Sequence, residues 1–430
     1  MKKAKLIILL FSLLLISCRA TPSDKPKQEN TKGMIVMDPA LDEKYQYMET
    51  VTKPVKLEIT NVPQASRFLK DRGTMDQLPT IESNSQVFEV DFRGYDVSHL
   101  KIGKQYLDNL KWATFSTTTK WPQTLPQEFN PAKVLDDGKN PGLHVRSLHE
   151  QGITGAGIGI AIIDQNLLVG HEEYKDRLKF YEEIHFPDSE ASMHGPAVAS
   201  IAVGKTVGVA PEADLYYIAG AHGEVINGSY ETDFTWLAMS IDRILEVNKT
   251  LSNERKIRVI SISVGWNPND QGYYETVDAV NRAREQGIFV VSSSLQDTYG
   301  YALQGLGRSW DGDADDAGTY MPGSFWLNSF YREEYANSNV LLVPMDRRTT
   351  ADSSGDEGYV YYAEGGLSWA IPYAAGLYAL ACQVKKDITP REFWDKALRT
   401  GDSIDIEKDG NIYQLKRIVN PVKLIESLKQ

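Results

Sequence analysis

From about Pro131 onward, apolar and polar positions follow a strand–helix rhythm. Five short runs rich in β-branched residues predict strands: "GIGIAIID" (Gly157 to Asp164), "DLYYIAG" (Asp214 to Gly220), "IRVISISV" (Ile257 to Val264), "GIFVVSSS" (Gly287 to Ser294) and "NVLLVPMD" (Asn339 to Asp346). They are apolar almost throughout rather than alternating, as strands covered on both faces are. Between them, helical spacing of apolar residues predicts helices over Met193 to Val203, Asp233 to Asn248 and Tyr273 to Gln286. Strand, helix, strand in that order predicts an α/β domain over 131–430, a parallel central sheet with helices on both faces. In such sheets active groups gather beyond the carboxyl ends of the strands.

The first part of the chain reads differently. Residues 34–130 mix short strand-like runs (Val55 to Ile59, Val87 to Phe92) with turn residues and an aromatic patch, "LKWATFSTTTKWPQTLP". This extension has no assigned fold and reads as a pro-segment or an accessory region. Before it, Lys2, Lys3 and Lys5 precede an apolar run from Leu6 to Ile16, the layout of a signal peptide over 1–17. The run is too short for an ordinary membrane span. It ends in Leu15-Ile16-Ser17-Cys18, which resembles the lipobox of bacterial lipoproteins. That resemblance implies a lipid on Cys18 and a cell-membrane location on the extracytoplasmic side. Residues 18–33, rich in Pro, Ser, Lys and Gln, read as a solvated tether. With Cys18 lipidated, the one other cysteine, Cys382, has no disulfide partner and reads as a small buried hydrophobe.

Composition narrows the function. The chain has 430 residues, 42% hydrophobic and 24% charged, enough apolar material for a large core. Its formal charge of −12 excludes nucleic acid as a natural partner, because backbone phosphates would be repelled.

Three residues then stand out. Asp164 ends the first strong strand. His194 opens the small-residue helix "HGPAVASIAVG". Ser368 opens "SWAIPYAAGLYAL" after Gly365 and Gly366. Singly, each reads as a cap or a structural residue. Together they form a different set. A serine hydroxyl is a weak nucleophile at neutral pH; it needs a base, and the base needs a carboxylate to hold its tautomer. A helix opening at the serine aims free N–H groups at developing oxyanion charge. Pro372, lacking an N–H, deprives the Ser368 carbonyl of its helical donor and loosens the first turn.

These segments resemble the subtilisin-like serine proteases (subtilases). "GIGIAIID" resembles the family's Asp strand, "HGPAVASIAVG" its His helix, and "VGVAPEADLY" (Val207 to Tyr216) the segment that follows. "ISISVG" (Ile260 to Gly265) resembles the cleft strand, and "GLSWAIPYAAGLYAL" the Ser motif, with Gly366, Ser368, Ala370, Pro372 and Gly376 in register. The order Asp, His, Ser is that of subtilisin. The resemblance implies a serine endopeptidase with Ser368 as nucleophile, His194 as base and acid, and Asp164 as orienting carboxylate. It also implies that the backbone of Ser263, Val264 and Gly265 pairs with an extended protein or peptide substrate.

Several positions depart from the family pattern. Gln165-Asn166 follow the Asp where many members have Ser-Gly, and Pro196-Ala197 replace Thr-His. Leu367 and Trp369 flank Ser368 in place of Thr and Met. Leu295-Gln296 stand where many members carry Gly-Asn, which makes Gln296 the expected side-chain oxyanion donor. That departure keeps a second expectation in view, a subtilase-fold binding or regulatory lipoprotein with little or no hydrolysis. No cofactor is expected. The segment from Asp297 to Asn337 reads as a long loop beside the cleft, and its "DGDADD" (Asp311 to Asp316) spaces carboxylates as a calcium loop does. It lacks the glycine and distal glutamate of an EF-hand, so a solvated acidic turn is the favoured reading and no metal site is assigned.

Overall fold

A computed structural model describes residues 54–80, 89–185, 189–226, 229–332 and 339–429. The signal peptide, Cys18, the tether and residues 87 and 88 of the second strand-like run lie outside the described residues. The central sheet has the order Phe289–Ser292, Ile257–Ile262, Gly159–Asp164, Asp214–Gly220, Leu178–Ile184, with every pairing parallel. The two-residue period of the strands divides their side chains between two faces. Ile160, Ile162, Leu215, Tyr217, Phe289 and Val291 join one core with the helices His194–Val203 and Leu367–Val384. Their neighbours Ala161, Ile163, Tyr216, Ile218, Ile260 and Val290 are equally buried. The helices Thr235–Thr250 and Tyr273–Glu285 pack on the sheet as well. Helices therefore cover both faces, which is why the strands read as continuous apolar runs. Each fully buried Ile, Leu or Phe contributes about 1.5–3 kcal/mol before chain entropy is counted.

The Leu367–Val384 helix is apolar on all sides because it is central. It is long and apolar enough to cross a membrane, yet 78% of it is buried inside the protein. Cys382 on it is fully buried and free, and burial pushes its thiol up to about 12.

Two parts of the chain differ from the sequence reading. The predicted strand Asn339 to Asp346 forms over Val340–Pro344, but in a second, mixed sheet. That sheet has the order Tyr320–Pro322, Ala302–Arg308, Val340–Pro344, Asn411–Ile418, Asp402–Lys408. The segment read as a loop from Asp297 supplies two of its strands. Ala302–Arg308 was masked by its glycines: a Cβ on Gly305 would lie 2.6 Å from Met345 Cβ, so the close approach needs glycine, which weakens the strand signal.

The extension packs into the same compact unit. Ala113–Ser116 pairs antiparallel with Tyr359–Tyr362 and parallel with Val90–Asp91. Val90, Phe92, Leu110, Phe115 and Phe129 share one apolar cluster with Tyr361 and Ala363. Earlier still, Thr60 N donates to Tyr181 O at 3.0 Å, so residues 58–60 lie along the edge strand Leu178–Ile184.

Candidate active site

Asp164 is the last residue of the Gly159–Asp164 strand, so its carboxylate stands at the carboxyl edge of the sheet. The next two carbonyls are tied to the neighbouring strand Asp214–Gly220 and to the residues leading into the helix His194–Val203. Gln165 O accepts from the Tyr217 hydroxyl, and Asn166 O accepts from Ser192 N at 3.1 Å. Glycine is required at position 195, where a Cβ would lie 2.5 Å from Gln165 O and 2.6 Å from Tyr217 Oη. This close approach brings His194 Nδ1 to 2.6 Å from Asp164 Oδ1. The Asp164 side chain is only 6% exposed and that of His194 20%. Burial disfavours the imidazolium, but the charge and hydrogen bond of Asp164 outweigh it and raise the His194 pKa above its ordinary value. With Nδ1–H donating to Asp164, Nε2 carries the lone pair.

Ser368 arrives from another direction. Gly366 has φ 67 and ψ 169, a conformation that glycine alone adopts readily, and it turns the chain into the Leu367–Val384 helix. Ser368 is therefore in the first turn, whose N–H groups have no helical acceptors. Pro372 leaves the Ser368 carbonyl without its helical donor, and the Ser263 hydroxyl takes that place at 3.0 Å. The bond is reciprocated: Ser368 Oγ lies 3.3 Å from Ser263 O. Among the described residues Ser263, not His194, is the partner of the Ser368 hydroxyl. Trp369, the residue after Ser368, packs edge-to-face against His194, with ring centroids 5.4 Å apart.

Ser263, Val264 and Gly265 continue past the Ile257–Ile262 strand as irregular, half-buried backbone. Ser293 N donates to Val264 O at 3.2 Å. Leu295 begins a short helix, Leu295–Tyr299, and sends its own side chain into the core. Gln296 is exposed on that helix. It lines a cavity of about 320 Å³ with Ser293, Leu295, Leu303, Gln304 and Leu367. Leu367 neighbours Ser368, so cavity and serine adjoin.

Two residues went unnoticed in the sequence. His222 lies within electrostatic reach of Asp164 and His194; burial lowers its pKa. Its ring stacks on Phe234 at 5.5 Å. Asp346, 6% exposed, accepts from Gly365 N at 2.8 Å, three residues before Ser368. The signal was present: like Asp164, it ends a strand-like apolar run.

The acidic turn serves the fold. Asp313 accepts from Asp315 N, Asp315 from His144 N and Asn140, and Asp316 caps Gly318 N. Among the described residues, no group of three or more His, Cys, Asp or Glu side chains is arranged to hold a metal ion.

Comparison with known proteins places part of the chain beside one family. Residues 155–343 match the model of the Subtilase family (Peptidase_S8). The subtilisin-like protease PopC of Myxococcus xanthus is 29% identical over 288 residues, 58% of this chain and 56% of the relative. Subtilisin E of Bacillus subtilis is 26% identical over 241 residues, 54% of this chain and 58% of the relative. The matches thus span just over half the length of these curated relatives. Among solved structures, the prenylagaramide maturation protease PagA aligns with a TM-score of 0.47 at 17% identity, covering 66% of this chain and 98% of that one. On the family match and these relatives, residues 155–343 carry a subtilase domain like that of the subtilisin-like serine proteases.

Proposed function

We propose that the protein is a serine endopeptidase that cleaves peptide bonds through Ser368, His194 and Asp164. The observation that carries this reading is the buried Asp164–His194 pair, 2.6 Å apart, at the same edge as the helix that opens beside Ser368. A base held by a buried carboxylate beside a serine is what activating that hydroxyl requires, whereas binding alone makes no use of it. This disfavours the binding-lipoprotein alternative.

In the proposed cycle Ser368 Oγ leaves Ser263 O and turns to His194 Nε2. It attacks the substrate carbonyl carbon as Nε2 takes its proton, and Asp164 stabilises the imidazolium. The Ser368 N–H and the Gln296 carboxamide hold the oxyanion. Collapse breaks the C–N bond, and His194 returns the proton to the leaving amine. Water then attacks the acyl-enzyme by the same steps in reverse. The substrate lies extended against Ser263 to Gly265, and its side chain next to the scissile bond enters the cavity bordered by Gln296 and Leu367.

Two further parts belong to this reading. Residues 89–130 stay with the mature enzyme, because their strand pairs with Tyr359–Tyr362, just before Ser368, and their apolar cluster includes Tyr361 and Ala363. A lipid on Cys18 holds the enzyme on the extracytoplasmic face of a membrane; this rests on the sequence at residues 1–33 alone. The test is hydrolysis of a mixed quenched-fluorescence peptide library by purified enzyme and by Ser368→Ala. Cleavage by the first and none by the second supports the reading; equal cleavage by both removes it.

A further inference from the structure

The turn that presents Ser368 is almost bare of side chains. Gly366 lies at φ 67. Gly365 is pressed against the end of the Val340–Pro344 strand, where a Cβ would lie 2.4 Å from Met345 O. Only backbone bonds can hold such a turn in place. Two bonds join it to the residues after that strand: Arg347 N donates to Ala363 O at 3.3 Å, and Gly365 N donates to Asp346 Oδ1 at 2.8 Å. The second is the shorter.

We propose that Asp346 is a positioning residue for the nucleophile, fixing the Gly365–Gly366 turn through its bond to Gly365 N–H and thereby setting where Ser368 stands. The inference rests on Ser368 being the nucleophile. Asp346 touches neither Ser368 nor His194, so its effect passes through the backbone.

Stability does not account for a carboxyl here. Asp346 is 6% exposed, and among the described residues its other oxygen accepts a long bond, 3.4 Å from Ser324 N. Burying a carboxyl is costly unless it is well paired. A merely structural role at this point would be filled equally well by a neutral acceptor.

The corner that carries Asp346 is rigid. Arg347 holds a left-handed φ of 57, unusual for a non-glycine residue. Its side chain is tied at Nε to Arg308 O at 2.7 Å and at Nη1 to Lys111 O at 2.5 Å. The guanidinium also stacks on Trp112, 4.7 Å from the ring centroid. Lys111 and Trp112 belong to the N-terminal extension, so the extension braces the corner that braces the serine.

The bond is also sensitive to pH. Burial raises the Asp346 carboxyl to about 7; its bond from Gly365 N lowers it, Glu364 raises it, and the Ser324 bond and Arg347 lower it. No charged residue stands on the Ser324–Trp326 turn packed against it. Ionised, Asp346 accepts a charge-assisted and therefore stronger bond from Gly365 N–H. The turn should tighten as pH rises through neutrality.

The test uses the full chain and a fluorophosphonate probe, with each labelling rate divided by the folded fraction measured by circular dichroism. Asp346→Ala should label about 10- to 100-fold more slowly than wild type at pH 8, as expected for a nucleophile displaced by about an ångström. Asp346→Asn keeps an acceptor oxygen and should recover to within about threefold at pH 8. Its ratio of rates at pH 8 and pH 6 should be about threefold smaller than that of wild type, since the charge is gone. Equal labelling of wild type and Asp346→Ala overturns the proposal while leaving the nucleophile standing. So does an Asp346→Asn variant as slow as Asp346→Ala, or one with an unchanged pH ratio. If Asp346→Ala does not fold, Asp346→Asn decides by its pH ratio. No labelling of wild type removes the nucleophile reading, and this inference with it.

Discussion

Asp164→Asn is the substitution whose outcome follows most directly from the geometry. The carboxylate accepts the Nδ1 proton of His194 at 2.6 Å with both side chains largely buried. A hydrogen bond to a charged group contributes about 1.5–3 kcal/mol, and losing it for the imidazolium costs roughly 10- to 150-fold in rate. The amide also removes the preference for the Nδ1–H tautomer, so Nε2 is no longer held as the base. Both losses together give about 10³–10⁴-fold, the scale on which a neutralised triad carboxylate acts. The structure adds a sign. Burial lowers the His194 pKa and Asp164 more than restores it. Without the charge only the burial effect remains, so the His194 pKa falls below its ordinary value of about 6.5. The assay is kcat/KM on one accepted peptide from pH 5 to 9. The plateau should drop by three to four decades, roughly, and the rising limb should move to lower pH. Stability moves in step. His194 holds its proton more tightly folded than unfolded. The pair's contribution is therefore full below about pH 6.5 and is lost as pH rises through the folded value. Asp164→Asn should reverse that dependence, because a folded pKa below about 6.5 makes stability fall as pH drops through that range. A plateau within tenfold of wild type, or a limb displaced to higher pH, would refute the reasoning.

Three further predictions follow from other contacts. Ser263→Ala removes the donor that replaces the one lost to Pro372, and thermal unfolding should show a loss of about 0.5–1.5 kcal/mol; no change in Tm would mean that water serves the Ser368 carbonyl as well. Gln296→Ala should lower kcat by about 10²–10³-fold with KM little changed, a magnitude known for the corresponding Asn of subtilisin. A change under about threefold takes Gln296 out of the mechanism. Cys18→Ala should move the protein from the membrane fraction to the soluble fraction; retention at the wild-type level places the anchor elsewhere.

The parts that were legible in the sequence share a cause. Gly159–Asp164 and Asp214–Gly220 are buried on both faces, so their apolar runs carry the signal without any knowledge of partners. Leu178–Ile184 was not recognised as a strand because it is an edge, and Lys179, Glu182 and Glu183 interrupt its apolar pattern. The extension was opaque for another reason. Its strands are two to four residues long, and the partner of Phe115 is Tyr361, far along the chain. Local pattern cannot supply such a pairing. The same limit placed Val340–Pro344 in the wrong sheet: its composition shows that it is a buried strand, not which strands lie beside it. At the site, Asp164, His194 and Ser368 were legible as ends of elements. Asp346 follows a strand by two residues, and its role depends on Gly365 reaching it across a fold that the sequence does not display.

The account stands or falls on Ser368 as an activated nucleophile. The direct measurement is incubation of the full chain with a fluorophosphonate, followed by mass spectrometry of the peptide that contains Ser368. The account predicts one adduct, on Ser368, formed faster as pH rises through the titration of His194, and no adduct with Ser368→Ala or after heat denaturation. An unlabelled wild-type protein, or an adduct on another residue that survives Ser368→Ala, would contradict it.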